Sequence, residues 1–377
     1  MIYLDNAATT YPKPWCVLKA VTQYMAECGG NPGRGSHTIS IRAAECVYDA
    51  REVVAELLSV DDPAKVVFTM NTTYALNTAI KSVISPGDHL LMGNMEHNSV
   101  RRPIGHLADL GLIEYDIFDV RGDAALVTKR LSSLVRPNTR AVVCAHASNI
   151  CNITAPIYEI GEFCRQQGIV FIVDAAQSAG IVELDLSKMH IDFLCAPGHK
   201  GLYGPQGCGI MVVNLSNPLH LTTLVEGGSG IHSLDKDMPA DLPEHFEAGT
   251  LPAPAIAGLC AGIRWVNSMG VREICRHEVS LWRRAYSDLS VMRGVRVYDK
   301  TPGAILLFNV DGFTPAYVAA ELNRAGICVR AGLHCSPMGH SALNTGKDGA
   351  VRISFGAMNT VEEVKTFAAE LYRITHK

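Results

Sequence analysis

The sequence predicts an α/β fold: a mostly parallel, seven-stranded sheet in a large domain, then a smaller α/β C-terminal domain. Short apolar runs rich in β-branched residues alternate with stretches of helical spacing, the pattern of right-handed βαβ units. The runs are continuously apolar, as in strands buried on both faces. The chain of 377 residues is too long for one small domain. Pro252 and Pro254 place a boundary after the first unit. The expected domains are 15–254, and 1–14 together with 255–377.

In order, residues 1–14 read as an extended lead-in with two prolines. A helix is expected over 15–27. The loop from Gly29 to His37, including Gly33-Arg34-Gly35, permits close approach of a ligand or another chain, or is a plain connection. A helix over 41–58 and a strand over Val66–Thr69 follow. Asn71-Thr72-Thr73 opens a helix reaching about Ile84, and its hydroxyls and N–H groups suit a helix cap, a phosphate cradle or both. Strands over 89–93, Ile113–Phe118 and 141–146 alternate with helices over 124–135 and 156–167. Strands over 169–173, 193–196 and 210–213 complete the sheet. Residues 226–247 read as a surface loop, closed by Phe246 to Thr250. Elements over 255–269, 271–289, 304–310, 315–325 and 360–375 make up the rest.

Asp174 sits where the strand 169–173 ends, and Gln177 follows. Pro197-Gly198-His199-Lys200 follows the strand 193–196. Ligands of open α/β sheets bind outside the carboxyl ends of the strands, so Asp174, Gln177 and Lys200 should converge on one crevice. An acid and a lysine there suit pyridoxal 5′-phosphate (PLP): the lysine forms a Schiff base with the aldehyde and a carboxylate partners the pyridinium nitrogen. Singly, the Asp reads equally as a helix cap and the Lys as a solvated loop residue; D-x-x-Q with G-H-K after a second strand makes the signal. His97 lies at a strand end beside the same crevice, as a structural residue or as a ring to stack on a flat cofactor. Asn149 is placed to hydrogen-bond a ring oxygen. In the second unit, Cys335 sits among Gly, His, Ser and Pro, hence on a loop. A thiolate is a nucleophile, and a cation such as His334 would help form it. Arg352, expected at the start of a strand, offers a planar fork matched to a carboxylate. Cys144, Cys195 and Cys208 sit in or beside apolar runs and read as inert.

Apolar residues make up 48% and charged residues 19%, with net charge −4. This is a globular composition, and nucleic acid is not expected as a primary ligand. The N-terminus lacks the basic start and apolar core of a signal peptide, and no apolar window is long enough for a membrane span, so a cytoplasmic protein is expected. Twelve cysteines lie without C-x-x-C pairs. Cys144, His146 and Cys151 are close but irregularly spaced, and no metal site is expected.

YLDNAATT, GRGSHT, NTT, EHNS, SNI, DAAQ, GHK, FEAGT, RAGLHC and RISFGAMNT occur in this order along nearly the whole chain. Together they resemble the cysteine desulfurase and selenocysteine lyase family, in the class V aminotransferase-like branch of fold-type-I PLP enzymes. The resemblance implies that Lys200 is the Schiff-base lysine and proton shuttle. Asp174 would hold the pyridine nitrogen protonated, Gln177 and Asn149 would lie at the ring hydroxyl, and His97 would stack on the ring. Thr72, Thr73 and His199 would bind the phosphate. Thr250 would reach the phosphate in the partner subunit, which implies a homodimer. Arg352 would clamp the substrate carboxylate, with Asn149 and His37 also at the substrate. Cys335 would take sulfur from L-cysteine as a persulfide and hand it to an acceptor protein. Pro197 replaces a common Ser, Gly201 is an extra glycine, and Leu333 stands where a His is common. Selenocysteine lyase, another C–S β-lyase, a class V aminotransferase and a PLP-binding scaffold remain the alternatives.

Overall fold

The apolar runs form buried strands, and the helices between them cover both faces of one sheet. The structure is a computed structural model and describes residues 1–33, 35–215 and 221–376; Arg34 of the glycine-rich loop lies outside them. The chain begins with β1 (Ile2–Tyr3), α1 (Trp15–Gln23), a π-helical turn over Tyr24–Cys28, and α2 (Thr38–Leu58). Then come β2 (Val66–Thr69), α3 (Thr72–Val83), β3 (Asp88–Gly93), α4 (Asn98–Asp109), β4 (Ile113–Phe118), α5 (Ala124–Leu134) and β5 (Thr139–Ala145). They are followed by α6 (Ile157–Gln167), β6 (Val170–Asp174), α7 (Leu186–Met189), β7 (Phe193–Pro197) and β8 (Gly209–Val213).

Strands β2 to β8 form a seven-stranded sheet in the order β2-β8-β7-β6-β5-β3-β4. Strand β8 runs antiparallel to both neighbours, while the pairs from β7 across to β4 are parallel. The pleat sorts successive residues to opposite faces. Val142, Phe171, Val173 and Leu194 pack on one side with α2 and α6. Val143, Val170, Ile172 and Phe193 pack on the other with α3 and α4.

Past β8 the chain forms α8 (Ala253–Met269), α9 (Val271–Ser290), β9 (Val295–Val297), β10 (Ile305–Val310), α10 (Pro315–Arg324) and β11 (Ile327–Cys328). It ends with β12 (Arg330–Gly332), α11 (Pro337–Ala342), β13 (Ala350–Ser354) and α12 (Val361–Thr375). Strands β12-β13-β10-β9 form an antiparallel sheet. Strand β1 pairs in parallel with β11, and Leu4 is buried in the same core as Phe308, Val351 and Phe367. The first residues of the chain therefore belong with its last third.

The structure differs from the sequence reading in three places. Helix α4 carries Pro103 and Gly105, which weaken its pattern; Val100, Ile104 and Leu107 still present one buried face. Helix α8, which lies past the boundary expected at Pro254, packs Ile256, Leu259 and Ile263 into the core of the large sheet. Arg352 lies in the middle of β13, not at a strand start. Among the described residues no helix is long and apolar enough to cross a membrane.

Candidate active site

Parallel strands end on one edge of the sheet, and the residues just beyond them meet there. One cavity is lined by Thr72 and Thr73 at the start of α3, His97 at the start of α4, and Asn149 after β5. Asp174 and Gln177 reach it from β6, and His199 and Lys200 from β7. Eight of the residues expected at a cofactor site are thus brought together.

Asp174 is 5% exposed, and its Oδ1 accepts from the Ala176 N–H at 2.9 Å. Burial pushes its carboxyl up, and the charge of Lys200 acts against that. Burial lowers Lys200 to about 8, with Arg352 and Arg330 adding to the effect and Asp174 opposing it. The turn that carries Lys200 is strapped by the N-terminal segment. The His199 carbonyl accepts from the Thr10 N–H at 3.1 Å, the Thr9 hydroxyl at 3.1 Å and the Lys13 ammonium at 2.8 Å. Gly201 has a packing reason: a Cβ there would run into the Ala179 carbonyl.

His97 caps α4, with its Nδ1 accepting from the Ser99 N–H at 3.1 Å. Burial, helped by the Lys200 charge, lowers it to about 4, so the ring is neutral and carries its proton on Nε2. At the other end of the cavity, Thr72 Oγ1 and His199 Nδ1 are buried without partners. Thr72 lies at the N-terminus of α3, where backbone N–H groups and the helix dipole favour an anion, and His199 lines the same cavity. Buried polar atoms are otherwise nearly always paired, so these two fit a phosphate tail. Pro197 lines the same cavity and brings no hydroxyl.

The small unit supplies the second set. Arg330 on β12 stands directly opposite Arg352 on β13. Arg352 donates from Nη1 to the Asn149 carbonyl and from Nη2 to Asp5 Oδ1, each at 2.7 Å, while its buried Nε has no partner. Cys335 is exposed, and the turn that presents it is unusual. His334 and Cys335 take φ of 50° and 57° after Gly332 at 111°. Non-glycine residues rarely adopt that region, and the surroundings must hold them there. The Asn98 N–H donates to the Cys335 carbonyl at 2.8 Å, and Asn149 Nδ2 donates to the His334 carbonyl at 2.8 Å. The cysteine turn is therefore bolted to residues that flank the cavity.

His334 is not the cation expected beside Cys335. Its ring is buried and stacked on His340 at 5.3 Å, and burial lowers it to about 2. Thr345 Oγ1 lies 2.7 Å from His340 Nδ1, His340 Nε2 lies 3.1 Å from His334 Nδ1, and His334 Nε2 lies 3.3 Å from the Arg330 carbonyl. With both rings neutral, as burial favours, each donor in this chain meets an acceptor. The pair is a support for the turn. Cys144, Cys195 and Cys208 are fully buried and raised by burial, in line with inert thiols.

His37 and Thr250 do not line this cavity. Both are exposed; His37 caps α2, and Thr250 accepts from Asn31 Nδ2 at 3.4 Å. Sequence reasoning gave no role to Asp5, Arg330 or Glu96. Glu96 is fully buried below the cavity, with Oε1 accepting from the Ala145 N–H at 2.7 Å, and burial pushes its carboxyl well up. Asp5 and Glu96 lie inside the YLDNAATT and EHNS motifs, and that was their only signal.

The aminotransferase class-V family model matches residues 2–367. The chain belongs to that family. Within it, a protein named "Probable cysteine desulfurase" from Methanothermobacter thermautotrophicus is 35% identical over 384 residues, covering 99% of this chain and 94% of that one. The solved apo cysteine desulfurase from Thermococcus onnurineus NA1 superposes with a TM-score of 0.90 at 30% identity, over 100% of this chain and 94% of that one. The Escherichia coli cysteine desulfurase CsdA gives 0.89 at 26% identity, over 99% and 94%. The chain is a member of the cysteine desulfurase group of class-V aminotransferases, a family of PLP enzymes, and has their fold-type-I architecture.

Proposed function

We propose that the protein is a PLP-dependent cysteine desulfurase that converts L-cysteine to L-alanine and takes the sulfur onto Cys335 as a persulfide. The observation that carries this reading is an exposed thiol on a left-handed turn, beside a cavity lined by Lys200 and the buried acid Asp174, whose charges act on each other. The residues fit the cofactor. Lys200 would hold it covalently, Asp174 would face the ring nitrogen, and Gln177 and Asn149 the ring hydroxyl. His97 would cover the ring, and Thr72, Thr73 and His199 would hold the phosphate. When bound, PLP supplies an electron sink for charge developing at the substrate α-carbon.

The protein's own groups do the rest. With its pKa lowered to about 8, Lys200 keeps part of its amine unprotonated near neutrality, so Nζ can take the α-proton and return it. Burial raises the Asp174 carboxyl and a facing cation acts against that, so the carboxylate would favour a protonated ring nitrogen. Two arginines opposite each other across a sheet repel unless anions lie between them. Asp5 is one such anion, and the substrate carboxylate would be the second. The Cys335 thiolate then attacks the substrate sulfur. The new S–S bond forms as the C–S bond breaks, its electron pair goes to the β-carbon, and proton uptake releases alanine.

We infer that the working unit is a homodimer. Trp15, Leu18, Met25, Ile39, Ile41 and Tyr48 are large apolar side chains exposed on or next to α1 and α2, surface that a second copy would cover. A second copy there would bring Thr250 and His37 to the neighbouring cavity. All twelve cysteines are unpaired, which suits a reducing cytoplasm, and the exposure of Cys335 suits delivery of sulfur to an acceptor protein.

The test is incubation of the yellow, cofactor-loaded protein with L-cysteine and dithiothreitol, which reduces the persulfide and frees its outer sulfur, measuring alanine and sulfide. Equal alanine and sulfide, with sulfide lost in Cys335→Ala, supports the reading. Full activity of Cys335→Ala would favour a selenocysteine or C–S β-lyase that needs no persulfide. Dependence on a keto acid would favour transamination.

A further inference from the structure

A second cavity shares Gln177 and Lys200 with the crevice but leads away from His97 and Asp174, toward α9 and the β9–β10 connection. Its walls are largely apolar, with Ile181, Val182, Ile305 and Phe355 among them. Its one acid is Glu278, on α9. Glu278 is 1% exposed, and its Oε2 is buried with no hydrogen-bond partner. Burial alone pushes the carboxyl up to about 8. An unmatched buried carboxyl is a cost to the fold, and nothing in the proposed reaction uses it.

The cavity is walled by a fixed loop. Asn152 Nδ2 donates to the carbonyls of Thr301 and Ile305 at 2.8 and 2.7 Å, and Asn152 Oδ1 accepts from the Ile305 N–H at 2.9 Å. A Cβ at Gly303 would run into that same amide. Asn152 is thus engaged with the backbone, and Glu278 is the acid open to a guest.

We propose that this cavity is a binding site for a small organic cation with an apolar body and a planar amidinium or guanidinium head, the head pairing with Glu278. A planar fork matches a carboxylate in two parallel hydrogen bonds, and the apolar walls take the body. An occupant would lie against Gln177 and Lys200 from outside the crevice, so this site would report on, or act on, the same scaffold without occupying the place of substrate. The proposal stands apart from the desulfurase reading, because Glu278 has no part in it.

Benzamidine is the probe, titrated into the cofactor-loaded protein by calorimetry, with iodoacetamide labelling of Cys275 read by peptide mass spectrometry. Cys275 lines the cavity, and Cys16 is an exposed control. The expected result is saturable binding, weakened about tenfold or more in Glu278→Gln because a charge-assisted pair is lost. Labelling of Cys275 should slow at saturation, while Cys16 stays unchanged. Val279→Phe, which fills the cavity and keeps the acid, should abolish both effects. Absence of binding, equal affinity in Glu278→Gln, an unprotected Cys275, or displacement of benzamidine by L-cysteine would each overturn the site.

Discussion

Asp174 and Cys335 stand on two different supports. Asp174 closes a strand that is buried along its whole length, as is its neighbour β7. Its backbone is ordinary, and its chemistry comes from burial, which shifts Lys200, His97 and His199 as well. Cys335 is exposed, and what is unusual there is the backbone: two successive non-glycine residues in the left-handed region. The strain is held by hydrogen bonds from Asn98 and Asn149 and by the neutral His334–His340 pair. In the proposed reaction, burial tunes the groups that would hold and move protons, and conformation presents the group that would carry the sulfur away.

If that contrast holds, changes in the crevice should alter colour and turnover together, and changes in the loop should alter sulfur transfer alone. The largest effect is expected from Lys200→Ala: the yellow band of the cofactor-loaded protein is lost and alanine formation falls by about 10³-fold or more, measured by absorbance and assay. Colour retained with full activity would remove the crevice from the chemistry. Next, Cys335→Ala should keep the yellow band and reduce sulfide release to background. A joint loss of colour would show that the two regions are not separable.

Cofactor uptake by the apo-protein tests the burial argument directly. Only the neutral amine of Lys200 attacks an aldehyde, and its pKa is held at about 8. Below that value the neutral fraction falls about tenfold per pH unit, so the uptake rate should rise steeply to about pH 8 and then level off. A rise continuing to pH 10 would mean that burial does not lower this lysine. The smallest effect concerns the loop. His340→Ala removes the donor to His334 Nδ1 and the acceptor of Thr345, at a cost of about 1–3 kcal/mol in denaturant unfolding. Sulfide release should slow while the cofactor band stays in place. An altered band with unchanged sulfide release would reverse the assignment of the two supports.

What could be read from the chain follows the same division. The strand limits Val66–Thr69 were legible because a short apolar run has few other uses, and Ile113–Phe118 because apolar residues alternate there with acids. Asp174, Gln177 and Lys200 were legible because the strand-end rule turns order along the chain into a place in space. Helix α4 was obscured by Pro103 and Gly105. His334 was read as a cation because it adjoins Cys335. Adjacency says nothing of burial: Leu333, one residue earlier, is 41% exposed, while His334 is 4% exposed.

The sequence by itself determined the sheet, most of its helices, the crevice at the strand ends and the family, since each rests on local pattern and motif order. The tertiary structure alone decided that Asp5 anchors Arg352, that β1 joins β11, that α8 serves the large core and that His334 is neutral. Those depend on segments hundreds of residues apart sharing a site, and on how much water each group loses there. Neither contact nor desolvation is written in the order of the residues.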